Sequence, residues 1–208
     1  MPINSELFTD FDDASAAYDS NGRLLSKSQV GFFKNSKCIT DSKNLIVVYH
    51  ASNNDFTTFD STRSGSNGGN IYGKGFYFCD DDFGLDVYGK YIKEYYLNLK
   101  NPFRWEVCEE EDDYLYNLDM FIEVLEKNNF VVSDELRSQL ENDLLENDGG
   151  IDTIIEKTCG HDFVHTYLIK AGYDGIMNLD IGDYVAFEPE QIKLCSNRMP
   201  TASADVAA

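Results

Sequence analysis

The sequence predicts an α+β fold. Strand-like segments come first, helical segments fill the middle and strand-like segments return, without the alternation that builds a doubly wound sheet. The 208-residue chain is 42% hydrophobic and 13% aromatic, enough to pack a core. No internal repeat suggests a solenoid.

The elements follow in order. Residues 1–20 are polar and acidic, a flexible lead or a short helix. "LSKSQVGFFKNSK", 25–37, has near-helical apolar spacing and predicts a short helix docked by Phe32 and Phe33. "NLIVVYHAS", 44–52, is a continuous β-branched run and reads as a buried strand. "NNDFTTFDSTRSGSNGGN", 53–70, is turn chemistry and predicts a long loop. "KGFYFCD" is a second strand and "DFGLDVYGK", 82–90, a short helix. "YIKEYYLNLKNP", 91–102, is a third strand, stopped by Asn101-Pro102. The charge run "EEEDD", 109–113, reads as a solvated loop. Helices are expected over 114–128, 133–147, 151–158 and 162–171. Strands return with "YDGIMNLD", "DYVAFEP" and "IKLCS", and the tail "MPTASADVAA" reads as disordered.

Charge and cysteine usage narrow the function classes. The formal net charge is −20, from 17 Lys and Arg against 37 Asp and Glu. Such a surface repels phosphate backbones and favours a basic partner, so nucleic acid is not an expected ligand. No apolar run approaches a membrane span. "MPINSELFTDFDD" lacks a basic n-region and an apolar h-region. The expected location is cytoplasmic, or a target cell reached without a cleaved signal, and the expected state is a monomer. The five cysteines are widely spaced without a C-x-x-C pair, and there are three histidines. Neither a disulfide framework nor a metal site is predicted.

Three features carry potential chemistry. His50 ends a buried strand and is followed by the small pair Ala51-Ser52. "GNIYGKGFYFCD", 69–80, sets glycines beside a dense aromatic run. Asp183 opens a late strand after Gly182. Taken singly, each has a plainer reading: a core histidine, an aromatic core strand after a turn, and an exposed turn carboxylate.

Together they resemble the ADP-ribosyltransferase superfamily, in its diphtheria-toxin and poly(ADP-ribose)-polymerase-like branch with a His-Tyr-Glu triad. "YGKGFYFCD" is similar to the polymerase segment "FGKGIYFAD", "VVYHAS" to the "HGS" or "HGT" strand, and "DYVAFEPEQIKL" to the late "EYVVF" strand. "FFKNSK", "LIVVYH", "YLNLKNPF" and "GYDGI" further resemble the polyvalent-protein members of phages and mobile elements. The resemblance spans about residues 22–197. It implies one catalytic domain there, with a split mixed β-sheet, flanking helices and a helical insertion over 105–160. Residues 1–21 would be a lead and 198–208 a tail.

The resemblance also implies a mechanism. Breaking the glycosidic bond of NAD+ develops a ribose cation, so the site must hold nicotinamide flat and supply negative charge. His50 takes the place of the histidine that bonds the adenosine ribose. Ala51 takes that of the residue whose backbone holds the nicotinamide amide, and Ser52 that of the small hydroxyl. Tyr77 and Tyr88 match the two stacking tyrosines, and Gly75 lies beside the nucleotide. Arg63 is a candidate for the pyrophosphate, and Asp183 stands where the family carries glutamate. Three positions depart from the pattern. Ala51 replaces glycine, Leu85 replaces a nicotinamide-binding serine, and Asp183 is one methylene short. The implied function is mono-ADP-ribosyl transfer from NAD+ to a protein acceptor, by a toxin or effector and without a metal. NAD glycohydrolysis, or NAD binding with weak catalysis in a protein-interaction module, are the alternatives. The insertion 105–160, acidic and least like the family, is the expected site of target recognition.

Overall fold

The computed structural model describes residues 17–64, 73–106, 111–146, 151–160, 162–179 and 181–195. Its strands are β1 (Val48–Ser52), β2 (Phe76–Cys79), β3 (Tyr91–Leu97), β4 (Pro102–Trp105), β5 (Gly175–Asn178), β6 (Asp183–Ala186) and β7 (Ile192–Leu194). Its helices are α1 (Lys27–Phe33), α2 (Glu111–Lys127), α3 (Asp134–Glu146), α4 (Ile151–Cys159) and α5 (Phe163–Lys170). The expected readings of 1–16, of 65–72 and of the tail lie outside the described residues.

All seven strands join one sheet in the order β4-β5-β6-β2-β1-β3-β7. β4 and β5 run parallel and every other pair is antiparallel. The α+β architecture is therefore as the sequence predicts. β2 pairs with β6 over four positions, Phe76↔Ala186 to Cys79↔Asp183. β1 pairs with β3 over five, Val48↔Tyr95 to Ser52↔Tyr91. Between these two halves, β1 and β2 share only the pair Tyr49↔Cys79. The sheet is split there.

Alternation along the strands separates the two faces. Tyr77, Ile176 and Val185 face a cluster built with α2–α5, whose members include Phe103, Trp105, Phe121, Leu125, Leu140 and Ile155. Phe76, Phe78, Met177, Tyr184 and Ala186 face the other cluster, with Phe59, Tyr95 and Leu97. Phe76 and Phe78 are buried, as expected of core residues. α1 covers the far end of the sheet through Phe33, which packs with Leu45, Val47 and Tyr96. A capping box of Ser26 and Gln29 starts that helix.

Local differences from the sequence reading have physical causes. Pro102 opens β4 rather than merely stopping β3. β4 lies at the end of the strand order, where a missing N–H is tolerated. The run 109–113 was expected to be a loop, but its last three residues begin α2, and acidic residues are favoured at a helix start. The expected helix over 82–90 is a single 3-10 turn, Leu85–Val87. The helices of the 105–160 stretch bury Leu118, Phe121, Ile122, Leu140, Ile154 and Ile155 against strand residues. They complete the core of one half-sheet.

Candidate active site

The split between β1 and β2 positions the residues that the sequence singles out. Past Tyr49↔Cys79 the two strands part, and the His50 side chain reaches across. Its Nδ1 lies 2.8 Å from the main-chain oxygen of Tyr77. A carbonyl only accepts, so Nδ1 carries the proton and Nε2 of the neutral ring holds a lone pair. The ring stands among Phe56, Phe59, Phe78 and Tyr95, with centroids 5.0–6.3 Å away. Burial there lowers its pKa, partly offset by the Tyr77 carbonyl. Lys93, opposite His50 on β3, donates to the Phe56 carbonyl and to Asp55, which holds the 53–56 loop over the ring.

Tyr77 projects to the other face, where its ring packs against the helical cluster. Its hydroxyl donates to the Gly73 carbonyl, which ties the ring to the turn before β2. Both glycines of that turn have packing roles. Gly73 has φ +79°, and a Cβ there would lie 3.0 Å from His165 Cβ. At Gly75 a Cβ would lie 2.2 Å from Val185 Cγ1. A side chain at Gly75 therefore collides with β6, whatever else approaches.

Ala51 and Ser52 continue β1 and are buried. The Ser52 hydroxyl accepts from Asn54 N at 3.1 Å. Gly89 lies against the Ser52 backbone, so that a Cβ on Gly89 would fall 2.2 Å from the Ser52 carbonyl carbon. That contact brings the turn carrying Tyr88 to the end of β1. Tyr88 is 65% exposed. Leu85, at the position of the family serine, is buried and anchors the turn instead.

Asp183 enters from β6, paired with Cys79. By alternation it shares the face of Tyr77, two residues further along β2. Burial, then Asp183 and Asp80, push the Cys79 thiol up to about 11, so it stays protonated; it donates to the Asp81 carbonyl at 3.1 Å. Asp80 was not singled out from sequence. Its N–H donates to Gly182 O at 3.0 Å. Its carboxylate occupies the space a Gly182 side chain would need, 2.3 Å from the ideal Cβ. Burial, then Asp81, raises its pKa. Asp80 thus fixes the left-handed Gly182 turn, φ +71°, that launches Asp183. The signal was present in the quoted "FYFCD", but the contact joins residues a hundred positions apart in the chain.

Arg63 is exposed and ends a 3-10 turn that Asp60 caps through Thr62 N at 2.9 Å. Its neighbour Ser64 donates to Gly75 O at 3.4 Å. The split thus brings the His50 ring to the Tyr77 backbone, with the Tyr77 and Asp183 side chains on the other face; Ala51 and Ser52 continue β1, the Gly89–Ser52 contact sets the Tyr88 turn at its end, and Arg63 precedes β2. Among the described residues, no group of three or more His, Cys, Asp or Glu could hold a metal ion. No described helix is long and apolar enough to cross a membrane.

A split α+β sheet of this kind agrees with the sequence comparison. Residues 41–202 match the family described as ADP-ribosyltransferase in polyvalent proteins, and the chain belongs to that family. Its activity class is therefore transfer of ADP-ribose. No curated protein matches the chain. A solved structure described as an anti-CRISPR protein is similar over 72% of this chain and 94% of its own, at 9% identity and a TM-score of 0.37. A likeness of that depth carries no functional argument.

Proposed function

We propose that the chain is a mono-ADP-ribosyltransferase that takes NAD+ as co-substrate and modifies a protein. The observation that carries this reading is the split, where His50 and Tyr77 are locked together and Asp183 arrives two positions away. These residues suit the dinucleotide. His50 Nε2 accepts from a ribose hydroxyl, and the neutral ring is favoured by burial. Tyr77 and the exposed Tyr88 offer aromatic faces to a flat cation, worth roughly 1–2 kcal/mol when desolvated. The Ala51 backbone holds the nicotinamide amide, with the Ser52 hydroxyl beside it. Arg63 pairs with the pyrophosphate, and Gly75 keeps the β2 entrance free of side chains. Asp183 supplies negative charge at the ribose. NAD+ contributes the labile glycosidic bond. The wider role in this reading is that of an effector of phage or mobile-element type.

A second reading, NAD glycohydrolysis, would use the same residues, and Asp183 itself motivates a third, an NAD-binding module with weak catalysis. The carboxylate is one methylene short of the family's glutamate, and a misplacement of about 1 Å can cost on the order of 100-fold in rate. Incubation with labelled NAD+ and a bacterial lysate distinguishes the two. Label on protein that is lost in Asp183→Ala supports the transferase. Nicotinamide release without label supports the glycohydrolase. NAD binding without either product, restored to turnover by Asp183→Glu, would replace both with a binding role.

A further inference from the structure

The turn after β2 presents apolar side chains to water in an acidic frame. Phe83 is 92% exposed, Val87 78% and Ile181, on the turn bonded to Asp80, 56%. Asp81, Asp82 and Asp86 surround the first two in sequence and are exposed. Lys90, the cation at the end of the turn, lies 4.7 Å over the Tyr91 ring. The turn is firmly held. Asp81 Oδ1 accepts from Phe83 N at 2.7 Å, Leu85 is buried, Gly84 takes φ +74°, and Gly89 rests on Ser52. A fixed backbone that points a phenyl ring at solvent keeps an apolar surface whose burial would be favourable.

The neighbourhood limits what can cover it. A nucleic-acid strand brings a run of phosphates toward three carboxylates and is repelled. An anionic lipid surface is repelled for the same reason. A polypeptide carrying an apolar side chain between Lys or Arg residues satisfies both the ring and the carboxylates. The position also fits. The same turn carries Tyr88, and Asp80 ties it to the Gly182–Asp183 step.

We propose that the turn 81–87, with Ile181, is the acceptor-docking lip of this enzyme, and that it selects a basic protein segment with an apolar anchor. This rests on the transferase reading above. It places recognition beside the catalytic carboxylate rather than on the helices that build the core.

The test uses the full chain and three synthetic peptides of equal length: Leu flanked by Lys and Arg, Leu flanked by Glu, and Ser flanked by Lys and Arg. Fluorescence anisotropy reads peptide binding, and nicotinamide release without peptide reads the chemistry. Wild type should bind the Leu-basic peptide, with affinity falling as salt rises, and bind the other two at least tenfold more weakly. The Phe83→Ser/Val87→Ser and Asp81→Asn/Asp82→Asn/Asp86→Asn variants should each lose at least tenfold in that binding. Basal nicotinamide release should stay within twofold. Failure of wild type to bind the Leu-basic peptide, equal binding of all three peptides, or wild-type binding by both variants would overturn the proposal. Selective peptide binding without nicotinamide release or protein label would instead overturn the transferase reading and leave the docking surface standing.

Discussion

The imidazole Nδ1 of His50 sits 2.8 Å from the main-chain oxygen of Tyr77, at the point where β1 and β2 part. The side chain supplies a link across a gap that the ladder does not bridge. Removing it with His50→Ala deletes that hydrogen bond, at a cost of about 0.5–1.5 kcal/mol. An Asn amide nitrogen stands near the position of Nδ1. His50→Asn should therefore recover part of the stability in urea unfolding, yet none of the nicotinamide release, because Nε2 is gone. Full turnover in His50→Asn would remove Nε2 from the proposed mechanism.

Gly75→Ala should destabilise the fold by about 1–3 kcal/mol, because the new Cβ meets Val185 Cγ1. Val185→Ala in the same chain opens that space. The double variant should then be more stable than the two single costs predict, with a coupling of about 0.5–3 kcal/mol. Strict additivity in the cycle would show that Gly75 is required for some reason other than β6.

Acid should weaken the fold through two histidines. Burial lowers the pKa of His50 and of His165, the latter with Asp162 acting in the opposite direction. Below about 6.5 the unfolded chain takes up protons that these buried rings refuse, so stability falls as pH falls. The urea midpoint should drop between pH 7.5 and 5.5, and the drop should shrink in a His50→Asn/His165→Asn variant. An unchanged pH slope in that variant would assign the effect to other groups.

Phe121→Ala should cost about 3–5 kcal/mol, since the ring is fully buried between α2 and the strands. Deleting α2–α4 should abolish cooperative unfolding altogether. A deletion that still unfolds cooperatively and binds NAD+ would restore these helices as a separable insertion.

The fold class was legible because periodicity changes along the chain, from strand-like to helical and back, and every expected helix core from 114 to 171 appears within a few residues. β4 was not legible. Its four residues begin with a proline, and its partner β5 lies across the whole helical region. The residues of the site could be named from the resemblance, but their arrangement could not. That His50 and Tyr77 pack on different faces follows from a splay that a single register pair defines, and no local pattern encodes it. Gly75 illustrates the remaining limit. A glycine beside aromatic residues suggests room for a ligand, whereas its hydrogen atom is needed by a valine on a strand that arrives much later in the chain.

The pairing of β2 with β6 sets the order in which this molecule can form. Phe76–Cys79 must wait for Asp183–Ala186, and Pro102–Trp105 for Gly175–Asn178. During synthesis β1 and β3 can close as soon as the chain reaches Leu97, but β2 keeps one unpaired edge until nearly the last strand emerges. Such long-range pairing slows folding, because loop closure is costly before its contacts form. The nascent chain therefore carries its acidic turn and β2 in an unfinished state until β6 arrives. The site is complete only once Asp183–Ala186 has joined Phe76–Cys79.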